Sequence, residues 1–153
     1  MIGTTLYVAD EVDNCIRIYD TGGGKYLGVI SDPSGLVSSP THLLAQNCML
    51  YIGVSPSAGN QNAAVLCFNP SQQSLFAVIS NSDKLNVRHP AGMTFDGSGN
   101  FYLADLKAQV VYQFDSQFTP AATQPFIPQG GGTMPDSPEF ILWVNDEWVE
   151  GRI

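Results

Sequence analysis

The chain has 153 residues, enough for one ordinary domain, and its 44% hydrophobic content suits a folded core. Fourteen acidic residues against six lysines and arginines give a net charge of -8, which repels a phosphate backbone and excludes nucleic acid as a partner. No run of eighteen apolar residues and no charged leader precedes or interrupts the pattern, so the sequence reads as having neither membrane span nor signal peptide.

Taken in chain order, the first strand-like segments are Leu6 to Ala9, Cys15 to Tyr19 and Tyr26 to Ile30. A second group follows at His42 to Ala45, Leu50 to Gly53, Ala64 to Phe68 and Leu75 to Ile79. The third group opens with Met93 to Phe95 and turns at Asp96-Gly97-Ser98-Gly99-Asn100, where Asp-Gly and Gly-Asn supply the positive backbone dihedrals a hairpin needs. It continues through Phe101 to Ala104, Val110 to Phe114 and Gln124 to Ile127. The stretch from Pro120 to Pro138, rich in proline, glycine and glutamine, reads as a long connection. Two last strands are expected at Phe140 to Val144 and Glu147 to Val149, which brings the total to 13.

These groups are copies of one unit. Leu6-Tyr7-Val8-Ala9-Asp10 returns as Leu50-Tyr51-Ile52-Gly53-Val54 and as Phe101-Tyr102-Leu103-Ala104-Asp105, at spacings of 44 and 51 residues. Pro40, Pro90 and Pro138 keep similar spacings, as do Tyr19, Phe68 and Phe114, which are expected to form an aromatic layer between sheets. A strand-rich period of this length predicts an all-β fold made of β-propeller blades, each with four antiparallel strands. Blade segments fall at about 1–31, 38–80, 88–128 and 137–151, giving three blades plus an extra hairpin in a single partial propeller. Asp10, Asp20, Asp105 and Asp115 are expected to accept backbone hydrogen bonds in turns.

The segments Leu6 to Ile30 and His89 to Asp115 resemble NHL repeats, whose pattern runs proline-glycine, strand, Asp-Gly-Asn, Tyr-Val-Ala-Asp and an isoleucine-rich strand. The second repeat departs from it, with Gly53-Val54 in place of Ala-Asp and an inserted loop from Ser55 to Asn60. The likeness extends to the six-bladed gluconolactonase and senescence-marker propellers. It implies blades and says little about substrate.

Thirteen strands do not close a propeller, since four blades need 16 and closure is what protects the edges. Either the sequence is a fragment of a larger propeller, or two chains form a homodimer that completes a six-bladed ring. The surplus strand favours the fragment.

Ligands of such folds meet the mouth of the central channel, near the residues that open each repeat. Those are Ser39-Pro40-Thr41-His42, His89-Pro90-Ala91-Gly92 and Ser137-Pro138-Glu139-Phe140, which makes His42, His89 and Glu139 the candidate ligand-binding residues. In gluconolactonase-like enzymes the resemblance implies a divalent metal held by asparagine or aspartate at the position that here holds Thr41, Ala91 and Glu139. Threonine and alanine are poor ligands for a hard cation, so no metal site or cofactor is expected unless residues elsewhere supply ligands. Two histidines fall short of the three protein ligands a catalytic zinc takes. Neither Gly22-Gly23-Gly24 nor Gly130-Gly131-Gly132 has the lysine-serine signature of a phosphate loop.

Three cysteines, Cys15, Cys48 and Cys67, fit no zinc spacing and argue against a disulfide framework, which points to a reducing, cytoplasmic-type compartment. The reading is a binding scaffold without catalytic residues of its own, with a protein or small-molecule ligand. The alternative is part of a gluconolactonase-like metal-dependent hydrolase or an NHL-type lyase.

Overall fold

The tyrosine-centred phrase of every repeat lies in a strand, and each of these strands pairs with the one that follows it. The computed structural model describes residues 4–57, 62–82, 85–130 and 136–144. It is all-β, with three separate antiparallel sheets. The first contains β1 (Thr5–Asp10), β2 (Cys15–Asp20) and β3 (Tyr26–Ile30) in that order. The second contains β4 (Pro40–Gln46), β5 (Met49–Val54), β6 (Ala64–Asn69) and β7 (Ser74–Ser80). The third has the order β10-β9-β8, with β8 at Pro90–Phe95, β9 at Phe101–Asp105 and β10 at Val110–Phe114. Two compact units divide the chain, Met1–Pro90 and Ala91–Ile153.

Registers repeat with the sequence. Leu6 faces Tyr19, Leu50 faces Phe68 and Phe101 faces Phe114 across equivalent strand pairs. Phe68 and Phe114 are buried, as the expected aromatic layer requires, whereas Tyr19 is only half-buried and stacks edge-on with Tyr26 at 5.8 Å.

In the first unit one core joins two sheets. Ile16, Ile30 and Val37 pack with Leu50, Ile52, Leu66 and Phe68, and Tyr7, Ala9 and Ile18 close over them. In the second unit Phe101 is fully buried and meets Phe95 at 5.0 Å and Phe118 at 5.3 Å between ring centroids, both edge-on. Such contacts add to the large apolar area an aromatic core residue buries.

Two hairpins show how local chemistry sets the ends of the strands. Between β8 and β9, Asp96 Oδ1 accepts from the amides of Ser98 (2.8 Å) and Asn100 (2.9 Å), and Oδ2 accepts from Asn100 Nδ2 (2.8 Å) and Tyr102 OH (3.2 Å). Between β4 and β5 only Asn47 and Cys48 remain, both at positive φ (51° and 61°), the geometry of a two-residue type I′ turn. Cysteine is a poor residue there, since its Cβ crowds the backbone where glycine does not. Cys48→Gly is therefore expected to stabilise the chain by about 1 kcal/mol in denaturant titrations. No gain would mean the turn relaxes out of this conformation.

Gly53 also has a steric reason. A Cβ there would stand 2.9 Å from the Pro90 carbonyl oxygen and 3.2 Å from Thr41 Oγ1, so the alanine of the other two repeats does not fit. The departure from the repeat pattern is a close backbone approach.

Two expected strands need correction. Gln124 to Ile127 is not a strand: single bridges join Val111 to Ile127 and Phe114 to Pro120. Pro120, Pro125 and Pro128 have no N–H to offer a ladder, and the Gln124 side chain takes over, accepting from Gln113 N at 3.3 Å and donating to Gln113 O. Phe140 to Val144 also makes no backbone ladder among the described residues. It passes beside Gly92 and Thr94, with one bond from Trp143 N to Thr94 Oγ1 at 3.4 Å. The expected strand Glu147 to Val149, and with it the extra hairpin, lies outside the described residues.

Candidate functional site

The end of the first unit where β4 begins and β5 finishes is wired by side chains from four segments. Asn14, at φ 52°, accepts the Ser39 amide through Oδ1 at 2.7 Å, and Ser39 Oγ donates to Glu11 Oε1 at 2.8 Å. Ser38 and Ser55 are both buried. Ser38 Oγ donates to Ser55 O at 2.9 Å, while the Ser55 amide lies 3.2 Å from the carbonyls of Ser38 and Ser39. Buried polar groups satisfied in this way hold a loop end rigidly.

His89 joins the same network. Its Nδ1 lies 3.0 Å from Ser55 Oγ, which fixes the ring against the end of β5. Serine and histidine at this distance have the form of a nucleophile and base; Ser55 is only 2% exposed, and its hydroxyl holds the imidazole. His42 stands on β4 opposite Gly53, half-buried, and burial lowers its pKa. Its neighbour Thr41 uses its hydroxyl on the carbonyls of Gly53 (3.2 Å) and Pro90. That hydroxyl is committed to backbone.

A cavity of about 440 Å³ is lined by Asn14 and Ser38 of this network together with Asp13, Ser31, Asp32 and Ser57, among others. Asp13 is ion-paired with Arg17, which also reaches Asp10 at 2.8 Å. Asp32 Oδ2 accepts the Leu36 amide at 2.9 Å and the Ser34 hydroxyl. The acidic groups are thus held in place by their own turn.

Glu139 lies in the second unit and is exposed. It edges a cleft of about 500 Å³ whose other walls are mostly apolar, formed by Ala104, Val111, Ile127, Pro138 and Phe140. The structure places His42 and His89 on one loop end of the first unit and Glu139 against an apolar cleft of the second. Among the described residues no three His, Cys, Asp or Glu side chains gather as a metal-binding group.

The turn aspartates do what the sequence suggests. Asp10 Oδ1 accepts from Asp13 N (3.0 Å), Asp20 Oδ2 from Gly23 N (3.1 Å), Asp105 Oδ1 from Ala108 N (2.9 Å) and Asp115 Oδ1 from Gln117 N (2.8 Å). The Asp13 amide and then the Arg17 side chain hold the Asp10 carboxyl below its usual range; the Thr119 and Gln117 amides do the same for Asp115. At Asp96 burial pushes the pKa up, but the Asn100, Ser98 and Tyr102 donors outweigh it and the net shift is downward.

A carboxyl that ionises more readily folded than unfolded contributes stability in full above its unfolded value, near pH 4, and loses it as pH falls through the lower folded value. Urea midpoints should therefore decline from about pH 5 to pH 2, and Asp96→Asn should make the decline shallower, the two proteins converging at the acid end. Parallel curves would contradict the Asp96 network.

Of the cysteines, Cys15 and Cys67 are buried and burial raises both thiols, while Cys48 is exposed; all three are free.

No family model and no curated protein matches this chain. Solved structures do. The chain is similar to Kuenenia stuttgartiensis hydrazine synthase, with a TM-score of 0.58 at 13% identity over 78% of this chain and 32% of that one. It is similar to a protein of Bacteroides uniformis assigned by inference as a 6-phosphogluconolactonase, with a TM-score of 0.55 at 15% identity over 88% and 39%. A nidogen/laminin complex chain matches with a TM-score of 0.51 at 15% identity over 78% and 58%. This chain spans about a third to just over half the length of those structures. At such identities the likeness speaks to architecture alone, and it agrees with the three sheets in supporting a propeller-like fold.

Proposed function

We propose that this chain is an NHL-type propeller scaffold that binds a protein or small-molecule ligand at the loop end where its repeats open. The supporting observation is the rigid polar end of the first unit. Ser38, Ser39 and Asn14 fix the loops, Ser55 fixes His89, and Asn14 and Ser38 line a cavity of about 440 Å³. A preformed concave site with a few oriented polar groups is what recognition needs. His42 and His89 are candidate ligand contacts at the same loop end, apart from the residues that line the cavity, and Glu139 is a separate candidate at the apolar cleft of the second unit. Under this reading the chain carries no catalytic residue of its own.

A second reading is part of a gluconolactonase-like metal-dependent hydrolase or an NHL-type lyase. Its support is the likeness to two Bacteroides proteins assigned as 6-phosphogluconolactonases, at 13% and 15% identity. Calorimetric titration with calcium, zinc and manganese separates the two readings. The scaffold reading expects no tight one-site binding that depends on these side chains. Tight one-site binding abolished by His42→Ala or Glu139→Ala would establish the second reading instead.

A further inference from the structure

We propose that the apolar cleft of the second unit binds a small ligand with an apolar body and one protonated amine, and that the amine sits at Glu139. The described residues that line this cleft all belong to the second unit, and its occupant extends the scaffold reading, in which Glu139 is the candidate contact there. A volume of about 500 Å³ lies in the range of small-molecule sites.

Three walls are set by hydrogen bonds and backbone packing before any ligand arrives. On the first, β9 and β10 pair Ala104 with Val111. The Val111 amide donates to Ile127 O and the Ile127 amide to Val111 O, both at 3.0 Å, which fixes the second wall. The third is the segment that carries Phe140 and Ile141. Gln109 Nε2 donates to Asp136 O at 2.7 Å where that segment begins, and a Cβ on Gly92 would stand 2.9 Å from both Glu139 O and Ile141 N. Backbone therefore rests directly on β8, an approach that only glycine allows. Walls held in this way spare a ligand the cost of ordering them.

The chemistry of the lining selects the ligand. Ala104, Val111, Ile127, Phe140 and Ile141 offer only carbon to its body, where a polar group would lose its hydration without replacement. Ser137 and Glu139 are the polar side chains among the described lining residues, and neither has a hydrogen-bond or ion-pair partner among the described residues. A carboxylate only accepts hydrogen bonds and an ammonium only donates them. A protonated amine thus satisfies Glu139 directly and can also donate to the Ser137 hydroxyl. An anionic headgroup would face the Glu139 charge with no lysine, arginine or histidine among the described lining residues to offset it. The net charge of -8 adds to that repulsion.

Octylamine is the probe, with octanol and octanoate as its neutral and anionic counterparts of equal chain length. Methyl NMR of the full chain follows Val111, Ile127 and Ile141 through each titration. Octylamine should move these methyls saturably and bind about three to five times tighter than octanol, the scale of an exposed charge contact, with octanoate weakest. Added salt should shrink the difference. Glu139→Gln should abolish the preference for the amine and leave octanol binding unchanged. Phe140 is 82% exposed, so Phe140→Ala leaves the fold intact and should weaken octylamine and octanol together. Shifts that are absent or never saturate, octanoate binding as tightly as octylamine, an amine preference that survives Glu139→Gln, or unchanged affinities in Phe140→Ala would overturn the proposal. These titrations contain no metal and alter no first-unit residue, so their failure is distinguishable from failure of the scaffold reading at His42 and His89.

Discussion

Phe101→Ala is expected to lower stability by about 3–5 kcal/mol, a large part of what a domain of this size has. The ring is fully buried among Phe95, Phe114 and Phe118, so its removal leaves a cavity that three aromatic neighbours cannot collapse to fill. Leu6 occupies the same repeat position, yet half of its surface is open to solvent. At concentrations low enough to keep chains apart, Leu6→Ala should cost less than about 1 kcal/mol. Denaturant midpoints for the two variants test this directly. Similar losses would mean that β1 is already covered on the face that carries Leu6.

Leu66→Ala is the second large effect, expected at about 2–5 kcal/mol. Leu66 is fully buried in the core that the first two sheets share, with Ile16 and Ile30 from one and Ile52 and Phe68 from the other. Because the core is common property, Leu66→Ala and Ile16→Ala should not add. A double-mutant cycle is expected to give a coupling of about 0.5–3 kcal/mol, whereas additivity within about 0.5 kcal/mol would mean the sheets unfold independently.

The positions of the sheets were legible because the residues that stop each strand have mechanisms. Asp96 and the glycines after it force a turn, and Asp10, Asp105 and Asp115 take up amides just beyond strand ends. The burial of Phe68 and Phe114 follows from their place in the repeat. Tyr19 escapes that pattern because the face it shares with Leu6 and Val8 is uncovered, which is a property of what stands beside a sheet and not of the repeat itself.

The segment around Gln124 misleads for a different reason. Its alternation suits a strand, but three prolines remove the donors, and a side-chain amide, invisible to any periodicity, bonds the edge of β10 instead. Phe140 to Val144 has strand composition without a ladder, since composition describes a preference and pairing needs a partner.

At the candidate site, the proline landmarks led to His42, His89 and Glu139 as residues near repeat openings. They did not lead to Ser55, which meets His89 across 34 positions. The available signal was faint. Ser55 follows directly where the second repeat abandons its Ala-Asp ending, and a small hydroxyl residue at a strand end is a common hydrogen-bonding device. Serine carries no periodicity, and a contact that distant is set by how β5 ends and β8 begins.

The central claim is that three copies of one sequence unit fold as three separate antiparallel sheets with the tyrosine-centred strand in the same place in each. Residue-resolved amide hydrogen exchange tests it most directly. The account predicts the slowest exchange in Leu50 to Val54, Ala64 to Phe68 and Phe101 to Ala104, which have partners on both sides, and fast exchange in 122–124. Equal protection of 122–124 and β9, or unprotected amides in β5, would contradict it.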